Sequence, residues 1–314
     1  MKVLVTGGAG FIGSHVVDQL IWGKFEVFVI DNFSTGKREN VNHKARIHQC
    51  DITNLKKLES IFEEVKPEVV IHHAAQISIQ QSLNFPNFDA DVNVLGTLNI
   101  LQNCIMHNVK KLIYASSAAV YGDPKYLPVD EEHPLNPQSP YGISKHTPEH
   151  YISVFNELYG LDYTILRYAN VYGPRQDAEG EGGVVSIFIN RLLQHKTIKI
   201  FGDGYQTRDF VYVEDVAEAN LLAINNGTGE IINISTNLQT SVKDLFRTLC
   251  VINNTYTEPD YQLARLGDIK HSYLDNNKAQ NKLRWQPKCT LFEGLDRTLS
   301  YYKMDRNVVS NLAK

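Results

Sequence analysis

The sequence predicts an α/β protein, a doubly wound parallel sheet with a smaller C-terminal α/β lobe. Three observations carry that expectation. Short Val- and Ile-rich runs alternate with amphipathic stretches through the first half of the chain. A glycine cluster, Gly7-Gly8-Ala9-Gly10-Phe11-Ile12-Gly13, lies where the first run meets the first amphipathic stretch. After about Asn170 the rhythm changes to a Gly-rich, charged segment and then a mixed region.

Residues 3–6 read as the first strand and 11–22 as the first helix. Strands follow at 27–30 and 46–50, then a helix at 55–65 and a strand at 69–72. A helix over 89–107, a strand over 111–116, a helix over 141–159 and a strand over 163–168 complete the alternation. Each strand is short, nearly continuous in apolar residues and bounded by Gly, Asp or Asn. Strands covered by helices on both faces need that pattern. Pro140 suits the first turn of the 141–159 helix. Pro148 lies inside it and cannot donate to the carbonyl of Ser144, which predicts a kink or an unsatisfied carbonyl just beyond Lys145. Beyond the segment 173–183, a helix at 184–195 and a strand at 199–201 belong to the second lobe. The domains expected are 1–170 and 171–314, with residues 210–213 and 231–234, inside 207–234, able to return to the first sheet.

The chain has 314 residues with 31 Lys+Arg against 35 Asp+Glu, a net charge of −4. That balance argues against a binder of long polyanions, so no nucleic acid is expected. No run approaches the ~18 apolar residues of a membrane span. The glycines interrupt the apolar start too early for a signal peptide. Cys50, Cys104, Cys250 and Cys289 have neither metal-ligand nor disulfide spacing. These features read as a cytoplasmic protein without a metal.

The glycine cluster has the context of a Rossmann-type dinucleotide site. Gly7 permits the tight strand-to-helix turn, Gly10 lets the backbone approach a pyrophosphate, and Gly13 lets the helix pack closely on the sheet. The helix N-terminus then offers free N–H groups to phosphates. Asp31 ends the second strand, where a carboxylate accepts from ribose hydroxyls and repels a 2′-phosphate. It favours NAD over NADP, although Lys37 and Arg38 lie nearby. Asp51-Ile52 follows the third strand, either at the adenine edge or as the cap of the next helix.

Tyr141 and Lys145, four residues apart, share one helix face. A lysine cation beside a phenol lowers its pKa, and a phenolate is a competent base for a sugar hydroxyl. Ser117, at the end of the 111–116 strand, reads as a donor to the reacting oxygen or as a strand-end cap. Asn93 reads as an orienter of the lysine.

These residues resemble the extended short-chain dehydrogenase/reductase superfamily. More closely, the whole chain resembles the nucleotide-sugar epimerases within it, the UDP-glucose 4-epimerase group. The runs that carry the resemblance are Thr6–Gly13, Asp31-Asn-Phe-Ser-Thr-Gly36, His72-His-Ala-Ala75, Arg167-Tyr-Ala-Asn-Val-Tyr-Gly-Pro-Arg175, Phe201-Gly-Asp-Gly204, Arg208-Asp-Phe-Val-Tyr-Val-Glu-Asp215 and Arg265-Leu-Gly-Asp268. The resemblance implies NAD held by Gly7, Gly10, Phe11, Ile12 and Gly13, by Asp31, Asn32, Ser34 and Gly36, and by Asp51 and Ile52. Ala74, Ala75 and Gln76, with Asn93, Ser116, Tyr141, Lys145 and Tyr168, complete that set. It implies Ser117, Tyr141 and Lys145 as the catalytic residues and a UDP-hexose as substrate. Asn170, Arg208 and Arg265 would meet the diphosphate, Phe201 the uracil and Asp268 the uridine ribose. Val184 and Ser272 would line the site with Ser117 and Tyr141.

Epimerisation, by the same resemblance, is a transient oxidation at C4 that ends with the hydride on the other face. A nucleotide-sugar reductase or dehydrogenase, or a non-catalytic NAD-sensing protein, are the alternatives. Ala118-Ala119 stands where dehydratases and decarboxylases of the superfamily carry an acid, so elimination of water is not expected. Ser272 is small and leaves room for a 2-N-acetyl group, whereas the neighbouring Tyr273 at that place would close it. A homodimer is expected, pairing helices 89–107 and 141–159 through Val94, Leu98, Leu101 and Ile105 and Tyr151, Phe155 and Leu158. The same residues suit an intramolecular core.

Overall fold

The computed structural model describes residues 1–177, 183–264 and 269–312. The first half runs β1 (Lys2–Thr6), α1 (Phe11–Trp22), β2 (Glu26–Asp31), β3 (Arg46–Gln49), α2 (Leu55–Val65) and β4 (Val69–His72). It continues through α3 (Ile79–Asn84), α4 (Pro86–Ala90), α5 (Gly96–Met106), β5 (Lys111–Ser117), α6 (Pro140–Tyr159) and β6 (Asp162–Tyr168). The second half holds β7 (Asn170–Tyr172), α7 (Val184–Leu193), β8 (Lys199–Phe201), β9 (Thr207–Arg208), β10 (Phe210–Tyr212) and α8 (Val213–Ala223). Then follow β11 (Glu230–Ile234), β12 (Thr240–Ser241), α9 (Val242–Ile252), β13 (Asp260–Gln262), α10 (Asn277–Leu283) and α11 (Leu291–Leu312).

Seven strands form one sheet in the order β11-β6-β5-β4-β1-β2-β3, and every neighbouring pair is parallel. The chain winds outward in one direction through β2 and β3, then in the other from β4 to β11. The reversal between β1 and β4 opens a crevice at the carboxyl ends of the strands, where sheets of this kind bind ligands. One face packs α1, α8 and the C-terminal segment around Trp285; the other packs α2, α5 and α6. A third, separate cluster is built by α7, α9, β8, β10 and the start of α11.

The returning strand is β11, beside β6, but Phe210–Tyr212 pairs with β7 in a separate two-stranded ladder. The stretch read as a helix over 89–107 is broken. It comprises α4, a π-helical turn at Asp91–Leu95 and then α5. Such turns leave the apolar rhythm nearly intact while rotating one residue out of it. In α6 the helix runs without interruption through Pro148, and no break follows Lys145. Ser139 caps it by accepting from Gly142 N at 3.1 Å, Pro140 takes the first position, and Gly160 closes it at φ +72°.

Candidate active site

The glycine loop leaves β1 at Gly7, whose φ of +68° is left-handed and turns the chain toward α1. A Cβ on Gly13 would stand 2.2 Å from Gly7 O, so α1 approaches the loop more closely than any side chain permits. No side chain caps the first turn of α1, which leaves the N–H groups around Phe11 and Ile12 facing the crevice mouth. This cradle, with its helix dipole, fits a dinucleotide pyrophosphate. Asp31 closes the loop from β2: Oδ2 accepts Ala9 N at 2.9 Å and Oδ1 accepts Phe33 N at 2.8 Å. Each oxygen keeps a lone pair for a ribose hydroxyl. The Asn32–Gly36 turn folds back over the loop, with Ser34 N on Asn32 Oδ1 at 2.9 Å and Lys37 N on Ala9 O at 3.0 Å.

Asp51 does not cap α2; Asn54 does, accepting from Lys57 N. Asp51 instead accepts Thr53 N, Thr53 Oγ1 and Asn32 Nδ2 at 2.7–2.9 Å. Burial pushes its pKa up, but these donors outweigh it and hold the carboxylate below its usual range. Asp51, Thr53, Asp91, Leu95 and Asn99 line a cavity of about 500 Å³ at this end of the sheet, away from Tyr141. Next to it, the Ile52 side chain lies in the core and its carbonyl accepts Asn99 Nδ2 at 2.9 Å.

The turn after β4 carries Ala74, Ala75 and Gln76. Ala74 N donates to Thr6 Oγ1, and Gln76 N donates to Asn93 Oδ1 at 2.7 Å. Asn93 is buried in the π-helical turn, and its Nδ2 donates to Gln76 O and Ser144 Oγ at 2.9 Å each. Its side chain therefore ties the β4 turn to α6 one residue before Lys145. Asp89 joins this knot through Gln76 Nε2 at 2.7 Å, and its Oδ2 is buried without a hydrogen-bond partner.

Tyr141 and Lys145 face inward from α6, and Tyr141 N donates to Ser82 Oγ at 3.1 Å. The Ser117 hydroxyl hydrogen-bonds the Tyr141 side chain and also accepts Ala119 N at 3.2 Å, the strand-end cap that was the alternative reading. Lys145 Nζ lies 4.6 Å over the Tyr114 ring. Burial lowers Lys145 to about 8, against the pull of Glu149 and Asp89. The expected depression of the Tyr141 phenol is reversed in the chain alone. Burial raises it, the Ser117 hydrogen bond pulls it down, and the Asp89 charge raises it again. Ser116 points the other way on β5 and donates its hydroxyl to Glu149, so only its backbone remains for a cofactor. Tyr168 stacks on His73 and donates its hydroxyl to Asn220.

Four of the residues expected at the substrate, Asn170, Phe201, Arg208 and Ser272, converge on the chain segment 206–209. Gln206 Nε2 donates to Phe201 O at 2.7 Å. Thr207 O accepts both Arg208 Nη1 at 2.8 Å and Ser272 N at 3.2 Å. Asp209 O accepts the amide of Asn170, whose side chain is exposed. Val184 opens α7 and packs on the third hydrophobic cluster. Arg265 and Asp268 lie outside the described residues. Sequence reasoning missed Asp89, Glu149 and Asp209. Glu149 sits four residues beyond Lys145, a spacing that could have revealed it.

A glycine-looped parallel sheet with serine, tyrosine and lysine gathered at its carboxyl edge defines a dinucleotide-dependent enzyme acting on a hydroxyl carbon. The chain belongs to the NAD dependent epimerase/dehydratase family, whose model matches residues 3–235. A UDP-glucose 4-epimerase from Mycolicibacterium smegmatis is 41% identical over 96% of this chain and 99% of its own length. The crystal structure of a UDP-glucose 4-epimerase with UDP-glucose from Thermotoga maritima superposes with a TM-score of 0.96 at 47% identity, covering 98% of this chain and 100% of that one. A UDP-N-acetylglucosamine 4-epimerase from Methanobrevibacter ruminantium, in complex with UDP-N-acetylmuramic acid, gives 0.92 at 36% identity, covering 97% and 98%.

Proposed function

We propose that this protein is a UDP-hexose 4-epimerase that interconverts UDP-glucose and UDP-galactose and admits 2-N-acetyl sugars. The observation that carries this reading is the Ser117–Tyr141 hydrogen bond with Lys145 one helical turn away, at the carboxyl edge of a sheet with a dinucleotide cradle. Residues 1–170 supply the NAD lobe, with Gly7, Gly10, Phe11, Ile12 and Gly13 at the pyrophosphate and Asp31 at the ribose. The cavity beside Asp51 suits the adenine. When bound, NAD supplies a hydride acceptor and donor at sugar C4, and a positive charge that favours the phenolate.

Tyr141 Oη takes the proton of the 4-hydroxyl, holds it while the sugar is a ketone, and returns it to the same oxygen once the hexose has turned. Ser117 keeps that oxygen within reach and shares its charge. Lys145 favours the phenolate. Arg208, a planar fork of donors, and Asn170 hold the diphosphate while the hexose rotates. Ala118-Ala119 provides no acid for elimination at C5–C6, so the ketone goes back to an alcohol.

The test is to purify the protein with whatever nucleotide it retains and supply UDP-galactose without added cofactor. Conversion to UDP-glucose is expected. Dependence on added NAD(P)H would identify a reductase, and no turnover with NAD bound would identify a sensor. For breadth of substrate, Ser272→Tyr is expected to lose turnover of UDP-N-acetylglucosamine and keep that of UDP-glucose; equal losses would refute the assignment of Ser272.

The cytoplasm is the proposed location, supported by four cysteines without disulfide partners. Among the described residues no helix is long and apolar enough to cross a membrane. A homodimer is supported by the exposed apolar face of α6, where Ile143, Tyr151, Val154 and Leu158 are 41–67% exposed. Leu101 is core, and Leu98, Ile105 and Phe155 pack against it, so the interface proposed here rests on the exposed face of α6.

A further inference from the structure

Behind Ser117 runs a buried chain of polar groups that takes no direct part in the proton transfer. Glu149 accepts Ser116 Oγ at 2.5 Å, Arg167 Nε at 3.0 Å and Arg167 Nη2 at 2.5 Å. Arg167 Nη1 donates to Tyr121 Oη at 3.0 Å, which donates to Asn233 Oδ1 at 2.7 Å. Glu149 and Arg167 are 4% and 2% exposed. Desolvating two charges is costly, and apolar residues of similar volume often serve stability as well or better. Stability alone therefore does not account for this pair.

Its placement does. Glu149 shares α6 with Tyr141 and Lys145. Ser116 is the residue before Ser117 on β5, and it stands opposite Arg167 of β6 in register. The pair thus joins the helix bearing two members of the site to the strand bearing the third. Glu149 also lies on the Lys145 face of α6, one turn along. Among the described residues the titratable groups that act on Lys145 are Glu149 of α6, Asp89 of α4, Tyr114 of β5, His72 at the end of β4 and His73 just after it, while Tyr141 shares its helix face. Burial holds both imidazoles far below their usual range, so they stay neutral. Of the two carboxylates, Glu149 acts on Lys145 the more strongly.

We propose that the Glu149–Arg167 pair is a positioning device for the reaction: it registers α6 on β5 and β6 so that Tyr141 meets Ser117, and its carboxylate keeps Lys145 a cation. This rests on the reading of Tyr141 and Lys145 as the reacting pair. With Glu149 neutral, Lys145 loses its proton at lower pH, and the phenolate loses its supporting charge as pH rises.

The experiment uses the NAD-bound full chain and two variants. Glu149→Gln keeps the shape and removes the charge. It is expected to move the alkaline limb of the kcat profile to lower pH by about one unit and to cut kcat about tenfold, with NAD retained and KM for UDP-galactose little changed. The double variant Glu149→Leu with Arg167→Met removes the pair without leaving a lone charge. It is expected to match or exceed the wild-type Tm while kcat again falls about tenfold. Wild-type kcat and pH profile in both variants would overturn the proposal. Lys145→Met separates the two levels of inference. If it keeps wild-type activity, the reading of the site itself is wrong. If it is inactive while the pair variants are unaffected, only the positioning role fails.

Discussion

In the proposed reaction Tyr141 carries the chemistry with one oxygen, so its removal should separate binding from reaction. Tyr141→Phe is expected to lower kcat by about 10²–10⁴-fold while the purified protein keeps its NAD, read from the absorbance of nucleotide released on denaturation. Ser117→Ala tests the other end of the hydrogen bond. Ser117 pulls the phenol pKa down. Without it the phenolate forms at higher pH, so the acid limb of the kcat profile should move upward; an unmoved limb would remove Ser117 from the reaction. The spacing of Tyr141 and Lys145 was legible because i and i+4 share a helix face whatever surrounds the helix. The partners of Asn93 were not, because Gln76 and Ser144 lie 17 and 51 residues away along the chain. The sign of the Tyr141 shift was also illegible, since burial is a property of the packed molecule.

At the scale of elements, Asp209 fastens the segments that hold the residues proposed for the substrate. Its carboxylate accepts Thr236 N at 2.9 Å, Thr236 Oγ1 at 2.7 Å and Asn237 N at 3.1 Å, and its backbone carbonyl accepts Asn170 N. Burial raises its pKa to about 6, against these hydrogen bonds. The folded value stands above the unfolded one, so its linked stability is fully present below about 3.8 and is lost as pH rises through about 6. The advantage of wild type over Asp209→Asn, measured by urea denaturation, should therefore shrink between those pH values, by up to about 3 kcal/mol. Trp285 is the equivalent fastening for the C-terminal segment, with Nε1 donating to Asp215 O at 2.8 Å. Trp285→Ala should cost about 3–5 kcal/mol in the same measurement. The first-half strands other than the edge strand β3 matched their apolar runs closely because those runs are buried on both faces. The break at Asp91–Leu95 was hidden, since one extra residue in a turn barely disturbs the periodicity.

The whole molecule presents one face of α6 that its own core does not cover. If that face pairs two copies, Leu158→Glu should yield a monomer in sedimentation velocity, and an unchanged sedimentation coefficient would dismiss the interface. The sequence by itself determined the strand-helix alternation, the glycine turn, the acidic end of β2 and the Tyr141/Lys145 spacing. These depend on local sterics and on period, which neighbouring residues settle among themselves. Only the tertiary structure decided that β11 closes the sheet, that Ile52 and Leu101 belong to the core, and that Ser116 serves Glu149. It also decided that Asn170, Phe201, Arg208 and Ser272 meet around residues 206–209. Those outcomes turn on which distant segments exclude water together, and burial of that kind exists only once the sheet has formed.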